Sequence, residues 1–124
     1  RFQATTAIDV SSLKEGGAAG ITAYAAHTNH YDVVVECRGG KKYVKAYIRI
    51  GQVRHVEKEF PLNTDLIYLR IEGDYNYYHL SYSDLSTETI GGFTGVHLGL
   101  FAQQAKGKSG GSVDVDWFRY SVVK

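Results

Sequence analysis

The chain has few of the residues that staple or interrupt a fold: one cysteine, one proline, no methionine and one tryptophan in 124 residues. The lone Cys37 excludes an internal disulfide and leaves the redox compartment open. An excess of either charge is also missing, because 14 Lys and Arg against 13 Asp and Glu give a formal net charge of +1. That balance offers no electrostatic footprint for nucleic acid or an anionic membrane, and neither is expected as a partner. The basic clusters, Lys41-Lys42 and Lys106-Gly107-Lys108, fall in glycine-rich turns and read as solvated charges. No apolar run approaches the length of a membrane span. No stretch carries a convincing helical pattern, and no internal repeat is present.

Ten tyrosines and 14 glycines are what the chain has in quantity. Tyrosine and valine suit a half-buried pleated surface, and glycine supplies the turns between strands. The composition reads as antiparallel β, in one domain over residues 1–124 that is long enough to bury a core without staples.

Alternation predicts strands over Phe2–Val10, Ala18–Ala26, His30–Cys37, Tyr43–Ile50, Gln52–Phe60, Asp65–Glu72, Tyr75–Ser83, Val96–Gln103 and Ser112–Val123. His30–Cys37 is apolar on both faces (Tyr31, Val33 and Val35; Val34), as a central strand requires. Gln52–Phe60 places Arg54, Glu57 and Glu59 on one face only after a shift of register near His55-Val56. That charge suits a sheet edge, and Pro61 is expected to end the strand. Eight to ten short strands with regularly spaced turns mean a sandwich or a barrel.

The stretch Gly91-Gly92-Phe93-Thr94-Gly95-Val96-His97-Leu98-Gly99-Leu100-Phe101-Ala102 stands apart. Glycines around Phe93 describe a tight turn that displays an aromatic or folds it back onto the core. The strand that follows alternates Val96, Leu98, Leu100 and Ala102 against His97, Gly99, Phe101 and Gln103, and reads as central.

Three kinds of chemistry were weighed. Glu57/Glu59 and Asp114/Asp116 are same-face carboxylate pairs of the kind a glycosidase needs, but the Glu-x-Asp-x-x-Glu spacing of sandwich glycosidases is absent, so no catalytic residue is assigned. His27 and His30 stand three apart without a nearby third ligand, and no metal site is assigned to them. Asp74, Asp114 and Asp116 leave a structural calcium open, with no other cofactor expected. The aromatic surplus carries more, because sugar rings stack on aromatic faces while their hydroxyls take planar polar partners. Tyr75, Tyr77, Arg70 and His79 belong to such a platform or simply satisfy β propensity.

Phe2-Gln-Ala-Thr-Thr6, Ala18-Ala-Gly-Ile-Thr-Ala-Tyr24, Asn29-His-Tyr31, Leu69-Arg-Ile71, Tyr78-His-Leu-Ser-Tyr-Ser83, Gly92-Phe-Thr-Gly-Val-His-Leu-Gly-Leu-Phe-Ala102 and Asp116-Trp-Phe-Arg-Tyr120 occur in that order. Together they resemble the concanavalin A-like, jelly-roll β-sandwich at the C-terminus of family 43 glycoside hydrolases, the β-xylosidases and arabinofuranosidases. The resemblance spans nearly the whole chain. It implies a non-catalytic accessory module that packs on a catalytic β-propeller and touches xylan-type sugars. The loop matching Gly92-Phe93-Thr94-Gly95 can lend its aromatic to the propeller's pocket. The carbohydrate-contacting residues expected are Phe93, on both grounds, with Tyr75, Tyr77, His30 and Arg70. A free-standing carbohydrate-binding protein and a small sandwich glycosidase are the alternatives, and a secreted or periplasmic location is favoured over the cytoplasm.

Two features depart from the family pattern. Ser83-Asp84-Leu85-Ser86-Thr87-Glu88 has neither the Gly nor the later Trp of many members. Family sandwiches also begin several strands before the position of Phe2, so a chain opening at Arg1 lacks them and leaves sheet edges unpaired: it is half of a nicked domain, or other strands cover the gap, or the fold closes in a shorter way. The isolated chain is predicted to associate through those edges. Light scattering checks this, and a clean monomer counts against it.

Overall fold

The computed structural model describes residues 2–73, 77–82, 86–91 and 97–122. Its elements are β1 (Phe2–Asp9), β2 (Gly17–Ala26), β3 (Asn29–Arg38), β4 (Lys41–Ile50), β5 (Val53–Leu62), β6 (Leu66–Gly73), β7 (Tyr77–Tyr82), β8 (Ser86–Gly91), β9 (His97–Gln104) and β10 (Asp114–Val122). They form two antiparallel five-stranded sheets, ordered β10-β1-β6-β7-β8 and β5-β4-β3-β2-β9. The fold is the all-β sandwich that the alternation predicts.

One face of each sheet fills the core. Ile67, Leu69 and Ile71 of β6 and Ala4 and Ile8 of β1 meet Ile21 and Ala23 of β2, Tyr31, Val33 and Val35 of β3, and Val44 and Ala46 of β4. Each set recurs every second residue, which sends it to one side of its pleat. The layers touch where β2 crosses β6 and where β3 crosses β6 and β7. Given the strand orders, β10 therefore extends past the cover of the opposite sheet. Its core-side residues Tyr120 and Val122 are accordingly 55% and 64% exposed.

β3 lies at the centre of its sheet, with Asp32 and Val34 buried on the side away from the core. β5 is an edge strand, and its pairing with β4 skips Glu57: Ala46 faces Lys58 and Tyr47 faces Val56. The register shift read near His55-Val56 is thus a one-residue bulge. A second bulge skips Asp116 in β10, where Ala7 faces Trp117 and Ile8 faces Val115.

Three expectations are corrected. β9 ends its sheet and is not central. Pro61 does not end β5, which runs on to Leu62 with Pro61 opposite Tyr43; an edge strand tolerates a residue without an N–H donor. Ser86–Gly91, to which the alternation assigns no strand, is the strand β8 paired with β7, where Thr87, Thr89 and Ile90 supply β-branched side chains.

The long β9–β10 connection is anchored to the β1–β2 connection. Lys14 N–H donates to the Gly110 carbonyl (2.8 Å) and Ser112 N–H to the Ser12 carbonyl (3.0 Å). Gly111, at φ 75°, lies against the Ser12 carbonyl where a Cβ has no room. From the same β1–β2 connection, the Glu15 carboxylate accepts from the Gly39 and Gly40 N–H groups of the β3–β4 turn, each at 3.0 Å. These two donors hold the Glu15 carboxyl below its usual range.

Close approach also explains Gly20 in the middle of β2: a Cβ there would run into the Val33 carbonyl oxygen and Val34 Cα of the adjacent strand. Gly20→Ala is predicted to cost about 1–3 kcal/mol in urea unfolding. Gly99→Ala, where a Cβ meets nothing within 4 Å, should stay within about 0.5 kcal/mol of the parent.

Candidate functional site

The second sheet turns its outer side to a depression of about 560 Å³, within the range of small-ligand clefts. Alternation decides what lines it. β2 contributes Ala18, Thr22 and Tyr24, β3 His30, Asp32, Val34 and Glu36, β4 Lys45, Tyr47 and Arg49, β5 Arg54, and β9 Phe101 and Gln103; His27 adds the rim. The registers arrange them in rows. Tyr24 faces His30, which faces Arg49, which faces Arg54, and in the next row Thr22 faces Asp32, which faces Tyr47. Phe101 lies opposite Gly20, so the middle of the face is low between aromatic flanks.

His30 joins the aromatic part together. Its ring stacks on Tyr24 (centroids 5.8 Å apart) and tilts against Tyr47 (6.0 Å). Behind it is Asp32, only 6% exposed. Thr22 Oγ1 donates to Asp32 Oδ1 at 2.6 Å, and His30 Nδ1 lies 3.0 Å from both carboxylate oxygens. An ionised carboxylate only accepts, so Nδ1 carries the proton and Nε2 is the ring nitrogen left for another partner. Burial pushes the Asp32 carboxyl above its usual range, against the opposing pull of the Thr22 bond, His30 and Lys45.

Charge is balanced at the Glu36 end of the face. Lys45 Nζ is 2.7 Å from Glu36, and Arg38 reaches Glu59 at 3.1 Å and Glu36 at 3.4 Å, with its guanidinium 4.6 Å from the Tyr43 ring centre. The arrangement can stack a ring and exchange hydrogen bonds with hydroxyls. Its carboxylates are occupied as acceptors or ion-pair partners, which suits binding better than proton transfer.

The structure separates the residues expected to touch sugar. His30 is at the heart of this face. Arg70 projects from β6 on the outer side of the other sheet, donating to Thr5 Oγ1 (3.2 Å) and Glu72 (3.3 Å). It shares that side with Tyr68 and Trp117, whose rings are 6.1 Å apart, and with Arg119 stacked 4.5 Å from the Trp117 ring. Tyr77 opens β7 and pairs with Gly91, also in the first sheet. Phe93 and Tyr75 lie outside the described residues, as does Asp74. Among the described residues, no three His, Cys, Asp or Glu side chains gather as metal ligands. Tyr24, Asp32, Tyr47 and Arg49 were not expected. A signal for them existed in Tyr43, Lys45, Tyr47 and Arg49, a polar–aromatic series at every second position of β4.

Fold and face together define a concanavalin A-like β-sandwich with a ligand-sized depression on a sheet. Residues 1–121 match the family model described as the β-xylosidase C-terminal concanavalin A-like domain. The chain belongs to that family, the C-terminal sandwich domains of family 43 glycoside hydrolases. A non-reducing-end α-L-arabinofuranosidase of Bacteroides ovatus is 29% identical over 122 residues, covering 86% of this chain and 23% of that enzyme. A bifunctional family 43 hydrolase–carbohydrate esterase of Bacteroides eggerthii superposes with a TM-score of 0.79 at 24% identity, over 97% of this chain and 17% of the other. A family 66 carbohydrate-binding module of Bacillus subtilis superposes with a TM-score of 0.67 at 15% identity, over 98% of this chain and 74% of the other. The chain thus spans less than a third of the hydrolases it matches.

Asp32 sets a pH-dependent prediction. Its pKa is raised on folding, so its stabilising contribution is fully present below the unfolded carboxylate pKa and is lost as pH rises through the folded value. Asp32→Asn removes that loss while keeping an acceptor for Thr22 and His30. The stability of the variant relative to the parent should therefore be higher at pH 7 than at pH 3.5, as followed by urea unfolding at both values. A difference that does not change with pH would show that Asp32 titrates normally.

Proposed function

We propose that this domain is a non-catalytic accessory module of a plant-polysaccharide-degrading glycoside hydrolase, and that the Tyr24–His30–Tyr47 face binds a xylan-type saccharide. The observation that carries the reading is the aromatic set itself, backed by a buried carboxylate that fixes the tautomer of its central histidine. Sugar faces stack on such rings, and His30 Nε2 offers a hydrogen-bond partner to a hydroxyl. The superposable Bacillus subtilis domain is a carbohydrate-binding module, which agrees with this use of the fold. Catalysis belongs to a separate propeller of the parent enzyme, with Phe93 as the residue offered to its pocket. A polymeric plant substrate places the protein outside the cytoplasm, secreted or periplasmic.

Calorimetric titration of the intact chain with xylotetraose tests the site. Saturable binding is expected, weakened about threefold to tenfold by Tyr47→Ala or Tyr24→Ala and little changed by Phe93→Ala. Loss confined to Phe93→Ala would move the site to the glycine-framed loop. Absence of binding at millimolar sugar would leave a module that only supports the catalytic domain.

A further inference from the structure

The end of the depression opposite Glu36 carries positive charge that, among the described residues, no carboxylate answers. Arg49 and Arg54 are register partners on the outer side of β4 and β5, and both line the depression with His27. Like charges directly opposite one another in an antiparallel pair repel. Toward the Glu36 end of this face, Lys45 pairs with Glu36, and Arg38 with Glu59 and Glu36. Among the described residues, no carboxylate pairs with Arg49, Arg54 or His27. Arg49 is nonetheless held in place: Nε donates to the Gly51 carbonyl at 3.4 Å and Nη1 to His27 Nε2 at 3.4 Å. Among the described residues, no hydrogen bond takes up its Nη2 group or the Arg54 fork. The row that holds them begins with Tyr24 and His30, so an anion at the arginines would sit beside a ring stacked on the aromatic set.

We propose that Arg49, Arg54 and His27 form an anion subsite that takes the carboxylate of a uronic acid residue carried by the saccharide on this face. The planar guanidinium fork matches a carboxylate in two parallel hydrogen bonds, which a hydroxyl cannot reproduce. A bound carboxylate also relieves the repulsion between the two arginines. The inference rests on the saccharide-binding reading above and adds to it the chemical class of the sugar.

The test compares xylotetraose with xylotetraose bearing one glucuronic acid branch, titrated into the intact chain at 20 mM and 200 mM sodium chloride. The branched sugar is expected to bind about tenfold tighter at low salt, with the advantage shrinking at high salt through screening. Arg54→Gln, at an exposed position, should remove most of that advantage, and Arg49→Gln the rest, each read as the ratio of the variant's affinities for the two sugars. Equal affinities for the two sugars, or an advantage that survives both substitutions, overturns the anion subsite while leaving the saccharide face intact. Failure of both sugars to bind overturns the saccharide reading and the subsite with it.

Discussion

Ile67, Leu69 and Ile71 project from β6 into a layer filled from the other side by Ile21, Val33 and Val35, and this contact orients every other side chain in the domain. With period-two geometry, burying Val33 and Val35 sends Asp32 and Val34 to the opposite face. The pairing of β2 and β4 with β3 then brings Thr22, Tyr24, Tyr47 and Arg49 to that side. The ligand face is therefore a by-product of the core register. A slip of one residue in β3 would send Asp32 into the apolar layer and Val33 to solvent.

Much of this is legible along the chain, and the illegible part has a physical character. The two-sided burial of β3, the turn at Arg38-Gly39-Gly40-Lys41 and the irregularity in β5 follow from local patterns of two to ten residues. β8 escaped because Ser86-Thr87-Glu88-Thr89 carries few apolar residues, and its strand state rests on pairing with β7. The edge position of β9 escaped because its alternation records only that one side is buried, whereas the strand order is set by a pairing with β2 some eighty residues away. His30 was readable as a polar residue in an aromatic context. Its partners were not, because Tyr24, Asp32 and Tyr47 come from three strands whose relative register no local window contains.

The face concentrates features that cost stability. Asp32 is buried with its carboxyl shifted toward the neutral form, and two arginines oppose one another without an acid between them. Sequences settle such conflicts wherever only folding is at stake, so their persistence on one side of one sheet separates that side from the rest of the surface. The Glu36 end shows the ordinary solution, with Lys45, Arg38 and Glu59 neutralising one another. The outer side of the other sheet is similar, where Arg70 is shared between Thr5 and Glu72.

The bulges at Glu57 and Asp116 carry a consequence for how the domain meets its neighbours. Each lies in the terminal strand of its sheet, β5 and β10, and each interrupts the even ladder of N–H and C=O groups that an incoming strand would read. β9 is terminal too, yet its pairing with β2 runs from Gly17 to Tyr24 without a break. Its outer edge is, like that of β8, an unbroken template, and a strand laid there would lie alongside Phe101 and Gln103. Growth of the sheet at that edge would lengthen the floor of the depression itself, so recruitment of a neighbouring chain segment and the reach of the face along a polymer are geometrically coupled.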